Sequence, residues 1–266
     1  VSMGSRVGAS DSTTGSRPAP LALFDEFPWV AREVLEYSSV LSSDDLTRLP
    51  VEASEEFHVR LAGSGVPVCV AQRDNEPPFF SFYSEVITRV GIRFPLSDFQ
   101  MQVLNYLHVS PTQLHPNSWA FILAFEFLCQ QLSVSCTCPL FFYFFSVQAS
   151  RSGKDAADRK GWVSFRGRND TGSDRRLFSL FSDSFKRFKD KFFLVVANPG
   201  RCPFFLGDSS APKFPLSWSF VHYEFPPSSY RTDRAQLSES ELVSVAQLLS
   251  CKSSGNLAPI ASYIQK

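Results

Sequence analysis

Phenylalanine dominates the aromatic content of this chain, with 27 Phe against 4 Trp and 7 Tyr. So many rings without a polar atom call for a folded core. The 266 residues, 44% hydrophobic and 20% charged, are enough to build one, as one large or two small domains. That composition excludes a wholly disordered, collagenous or fibrous chain. The spacing of the apolar residues then separates helix from strand.

Several helices have readable starts. Ser97 to Val109 opens with Ser-x-x-Gln, a capping box, and Phe99, Val103, Leu104 and Leu107 follow at helical spacing. Pro111 and Pro116 punctuate the connection, and Asn117 is the expected cap of a second helix carrying Trp119, Ile122, Leu123, Glu126 and Phe127. The two form an expected helical hairpin over about 97–132. Phe79 to Val90 reads as a further helix ending at Gly91, and Ser238 with Glu241 starts a last one before Gly255 and Pro259.

The middle of the chain reads differently. Phe141 to Val147 is short, aromatic and without a polar face, so a buried strand is expected. Gly161 to Arg166, Phe192 to Ala197 and Phe214 to Phe220 are expected strands too. Phe178, Phe181, Phe185, Phe188 and Phe192 recur at steps of 3, 4, 3 and 4, one face of an expected basic helix. The fold class is therefore α+β: an N-terminal helical layer, then a small antiparallel sheet with that basic helix packed on it. The expected division is a disordered lead over 1–22, a main domain over 23–225, and a C-terminal helix and tail over 226–266.

The formal net charge is zero, but it is a sum of opposed parts. Residues 21–60 hold nine acids and three bases, whereas residues 151–191 hold twelve bases and six acids. The basic segment supplies the candidate nucleic-acid contacts: Lys154, Arg159, Lys160, Arg166, Arg168, Arg175, Arg176, Lys186, Arg187, Lys189 and Lys191. Such a face would neutralise phosphates with salt-sensitive affinity. The acidic segment is an equally good partner for it, within or between chains.

Other chemistries find little support. No apolar run reaches the roughly 18 to 20 residues of a membrane span, so no membrane contact is expected. The first twenty residues lack the apolar region of a secretory signal, so an intracellular place is expected, cytoplasm or nucleus. The six cysteines are then expected as reduced thiols, and the Asn169-Asp170-Thr171 sequon as unused. A zinc site from Cys129, Cys136, Cys138 and His115 can be drawn, but it lacks paired spacing, and no metal or cofactor is expected. Asp98, Glu126, Asp183 and Asp190 are weak candidates for a metal-dependent nuclease, being explained by capping or local ion pairing. Asp170-Thr171-Gly172 spells an aspartic-protease loop, yet its neighbours are polar, as in a turn. Neither GxSxG nor a phosphate-binding glycine loop occurs, so no enzyme is expected.

The stretch from Phe94 to Leu132, with the cluster Pro116-Asn117-Ser118-Trp119, resembles a plant family whose domain is labelled putative plant transposon protein or putative gypsy-type transposase. The similarity continues through Phe141 to Phe145, Gly161-Trp162-Val163-Ser164 with Arg168, Phe185 to Phe193, and Phe214 to Trp218, and it covers about 46–218 in all. The resemblance implies origin in a plant retroelement, in a gag-like or accessory region, and carries no catalytic mechanism with it. The expected function is a non-enzymatic structural or assembly domain that associates with itself and contacts RNA or DNA. The alternatives are a DNA-binding or DNA-processing part of a transposition machinery, and an interaction module of a decayed or domesticated element.

Overall fold

A computed structural model describes residues 27–70, 75–151, 160–170, 173–174, 177–178 and 185–253. Its strands are β1 (Phe57–Leu61), β2 (Phe79–Tyr83), β3 (Phe145–Arg151), β4 (Lys160–Gly167), β5 (Asn169–Asp170), β6 (Ser173–Asp174) and β7 (Phe192–Ala197). Its α-helices are α1 (Arg32–Leu35), α2 (Ser43–Thr47), α3 (Asp98–Leu107), α4 (Pro116–Gln131), α5 (Cys138–Phe144), α6 (Val221–Glu224) and α7 (Glu239–Ser253). The mixture of helices and small antiparallel sheets is α+β.

The central sheet has the order β1-β7-β2, with β7 antiparallel to both neighbours. All six residues of β7 are buried, as a middle strand covered on both faces requires. β1 alternates at its start, with Phe57 inward and His58 outward, the pattern of an edge strand. On one face Phe80, Phe82, Phe193 and Val195 join the main core, while Phe79, Leu194 and Val196 form a small second cluster. The Phe80 ring meets those of Phe82, Phe94, Phe204, Phe205 and Phe214 at centroid distances of 5.1 to 6.3 Å. β3 and β4 form a separate antiparallel hairpin, and β5 pairs with β6.

The capping boxes form as the sequence predicts. The Ser97 hydroxyl accepts from the Gln100 N–H at 3.2 Å, and Gln100 answers at the Ser97 N–H. Ser238 and Glu241 make the same exchange at the start of α7. Gly91, with φ +95°, closes the helical turn before it, and its N–H donates to the Val86 carbonyl. The second helix starts two residues earlier than expected. Pro116 occupies its first turn, so His115 is the cap, and its Nδ1 accepts from the Asn117 N–H at 3.1 Å.

Five expectations are corrected. Phe79 to Val90 is a strand followed by a π-helical turn over Val86–Val90, because long-range pairing with β7 claims its first half. Phe141 to Val147 starts inside α5, which Thr137 caps and Pro139 opens, and only then becomes β3. Phe214 to Phe220 is irregular; its backbone is held by a side chain, as described below. The expected basic helix falls partly on 179–184, outside the described residues. From Phe185 to Lys191 the chain is non-helical, with Arg187 at φ +59°, and Phe192 begins β7. Finally, β1 and β2 precede the long helices instead of following them. α3 and α4 touch through Phe99 against Phe125, while α3 also packs on α5, and α4 on β4 and the π-helical turn.

Candidate functional site

The motifs that carry the resemblance converge in space. The connection between α3 and α4 runs alongside β4: the Val163 N–H donates to the Gln113 carbonyl at 2.8 Å, and the His115 N–H to the Val163 carbonyl at 2.9 Å. The Gln113 side chain reaches the other way. Its Nε2 donates to the Ser219 carbonyl and its Oε1 accepts from the Ser219 N–H, both at 2.9 Å. A buried amide thus pairs with backbone as a strand neighbour would, which holds the 214–219 segment without a strand.

Three indoles and one amide complete the arrangement. Trp119 Nε1 donates to the Pro111 carbonyl at 3.1 Å, Trp218 Nε1 to the Thr112 hydroxyl at 3.2 Å, and Trp162 Nε1 to the Tyr83 hydroxyl at 2.9 Å. Asn117 Oδ1 accepts from the Phe185 N–H at 3.0 Å, tying α4 to the chain ahead of β7. The Tyr223 hydroxyl donates to the Gly161 carbonyl. Burial pushes the phenols of Tyr83 and Tyr223 upward, so both are neutral donors or acceptors. Burial, then the nearby Lys189, pushes His115 down to about 4, and the neutral ring packs edge-on to Phe188. These groups face one another and the core, and the arrangement they form fixes register between segments far apart in sequence.

The basic candidates scatter. Lys154, Arg159, Arg175 and Arg176 lie outside the described residues. Arg168 is 3% exposed, and its guanidinium donates to the Phe142 and Thr232 carbonyls and pairs with Asp233 at 3.1 Å. A guanidinium so enclosed is a structural tie, and Arg168 leaves the set of candidate phosphate contacts. Lys189 pairs with Glu33 at 2.8 Å and lies over the Trp162 ring, while Lys191 pairs with Glu85 at 2.8 Å. Lys160 is half-buried beside Trp29. Arg166, Lys186 and Arg187 are exposed, and Arg166 Nε donates to the Ser146 hydroxyl.

Glu126 accepts from Gln100 Nε2 at 2.8 Å, and Asp98 lies exposed in the first turn of α3. Asp183 lies outside the described residues. The Asp190 carbonyl accepts from the Val40 N–H. Cys136 lies beside Cys129, which with burial raises its thiol pKa, and burial pushes Cys138 up to about 12. Such thiols stay protonated. His115 lies elsewhere, against Phe188, and among the described residues no three His, Cys, Asp or Glu gather as metal ligands. The strands flanking Asp170-Thr171-Gly172 pair at Asn169↔Asp174 and Asp170↔Ser173; Thr171 and Gly172 lie outside the described residues. No helix among the described residues is long and apolar enough to cross a membrane.

The segment from β2 to β3 carries the Gln100–Glu126 contact, the Gln113 amide and the Asn117 tie. Residues 79–149 match the model of the family described as putative gypsy type transposon. Through this stretch the chain is similar to that family. The match lies inside the broader span, 46–218, over which the sequence resembles it. No curated protein and no solved structure matches the chain.

Sequence reasoning missed Gln113, Thr112 and Tyr83. The available signal was Thr112 and Gln113 in the short Pro-flanked connection between two apolar helices, because polar side chains buried there need internal partners.

Proposed function

We propose that the chain is a non-enzymatic, gag-like structural domain of a plant retroelement protein, one that assembles with its own kind and touches nucleic acid. The observation that carries this reading is the use of the family motifs. Gln113, Asn117, Trp119, Trp162 and Trp218 all make internal bonds that hold the fold. A motif kept for architecture suits a scaffold. The exposed bases Arg166, Lys186 and Arg187, with Lys154, Arg159, Arg175 and Arg176 of the same segment, are the nucleic-acid contacts, in cytoplasm or nucleus.

The test has two arms. Binding of a labelled RNA or DNA should weaken on joint charge reversal of Arg175, Arg176, Lys186 and Arg187, with a flatter salt slope. Unchanged binding removes the contact. Incubation of supercoiled DNA with Mg²⁺ or Mn²⁺ should leave it intact; nicking lost in Glu126→Ala or Asp98→Ala would replace the scaffold reading with DNA processing.

A further inference from the structure

One surface of the molecule breaks the rule that its rings are inside. Phe220, Val221 and Phe225 are 43%, 40% and 47% exposed, on the short stretch around α6. Trp29 and Tyr223, both half-buried, continue the surface: Trp29 lies 5.6 Å from the Phe220 ring and 5.8 Å from that of Tyr223. At the other end the Phe225 ring lies 6.5 Å from exposed His108. Contiguous exposed aromatics mark interaction sites, and Trp and Tyr are enriched among residues that dominate interface energies.

The charges at the two ends differ. Exposed Glu224 sits beside Phe225. At the Trp29 end stand exposed Arg32 and half-buried Lys160, whose backbone is hydrogen-bonded to Trp29 and Ala31. A polyanion laid across the patch would meet a carboxylate among the rings. A second copy turned by a two-fold axis would instead set each acidic end against the other copy's basic end, with the rings between. With a formal net charge of zero, the two copies carry no net repulsion to overcome.

We infer that the patch formed by Trp29, Phe220, Val221, Tyr223 and Phe225 is a self-association surface, and that its occupant is the same patch of a second copy of this chain. The inference rests on the assembly reading above and names the face that serves it. Its rings form the centre of the contact, with Glu224 and Arg32 pairing across the rim.

Sedimentation velocity of the full chain tests it, over about 1 to 100 µM, where an interface of modest strength exchanges. The wild type should shift from monomer to dimer, and Phe220→Asp should raise the dissociation constant at least tenfold, with circular dichroism unchanged. Glu224→Arg and Arg32→Glu should each weaken the dimer, and the double exchange should restore it. A wild type that stays monomeric overturns both this inference and the assembly reading. Association that ignores Phe220→Asp overturns the surface alone. A monomer in which Leu21→Ser with Leu23→Ser makes Trp29 more quenchable by iodide would give the patch to the chain's own leading segment. A monomer in which Phe220→Asp abolishes binding of a single-stranded oligonucleotide would give it to nucleic acid. Either result overturns the inference.

Discussion

Two groups of aromatic rings, one all Phe around Phe80 and one of Phe, Trp and Tyr around Phe220, lie in opposite environments. Around Phe80, rings from β2, the Phe94 turn and the 204–214 segment meet edge to face, and Phe80 itself is fully buried. Around Phe220, the rings of Trp29 and Tyr223 meet at similar distances, yet Phe220 and Phe225 stay exposed. Ring-to-ring geometry therefore does not separate core from surface; enclosure on the remaining sides does. The Phe80 group lies against the inner face of the central sheet. The Phe220 group is tied to the start of β4, where the Trp29 carbonyl accepts from the Lys160 N–H and the Tyr223 hydroxyl donates to the Gly161 carbonyl, and its outer rings stay exposed.

The largest difference should come from truncating each centre. Phe80→Ala removes a ring enclosed by five others and should cost about 3–5 kcal/mol in urea unfolding. A cost near that of a surface change would break the comparison. Acid should act on both sides at once. Burial lowers His222 to about 4, against the opposing bond to the Leu107 carbonyl, and it lowers His115 to a similar value. His115 borders the core at Phe188, and His222 stacks on Tyr230 next to Tyr223. Both rings are neutral when folded and take up a proton on unfolding at about 6.5. Their contribution is therefore complete above that pH and is lost as pH falls towards 4. Unfolding between pH 7 and pH 5 should show a loss of roughly 2–4 kcal/mol, reduced in the His222→Gln variant.

A smaller effect separates polar ties from ring burial. Tyr83→Phe keeps the ring but deprives the Trp162 N–H of its acceptor, and should cost roughly 1–2 kcal/mol in the same assay. The smallest effect belongs to the exposed group. Phe220→Ser should change monomer stability by about 0.5 kcal/mol or less. A loss as large as that of Phe80→Ala would make Phe220 part of the core.

The legible parts of the fold were those with local signals. Ser97 with Gln100 and Ser238 with Glu241 announced their helices, and the strands at 161–166 and 192–197 stood where the pattern put them. The wholly buried segments misled. Phe79 to Tyr83 and Cys138 to Phe144 have no polar face, so neither the period of two nor that of 3.6 can be read in them. The Phe steps from 178 to 192 gave a helical period, but the chain from Phe185 to Lys191 is shaped by distant partners, Asn117 and Glu33 among them.

The site was less legible than the fold. Arg168 is one base among twelve in its segment, and only tertiary packing turned it inward against Thr232 and Asp233. The opposed charges of the acidic and basic segments were visible in sequence, but their meeting at Glu33 and Lys189 was not. By itself the sequence determined the presence of a ring-rich core, the capped helices, the α+β class and the likeness to a transposon family over 79–149, because these depend on composition and short spacings. Tertiary structure alone decided which rings are enclosed, which bases remain at the surface, and that β7 runs between β1 and β2. Those outcomes depend on pairing and burial between residues far apart in sequence, more than a hundred positions in the central sheet, which local spacing does not record.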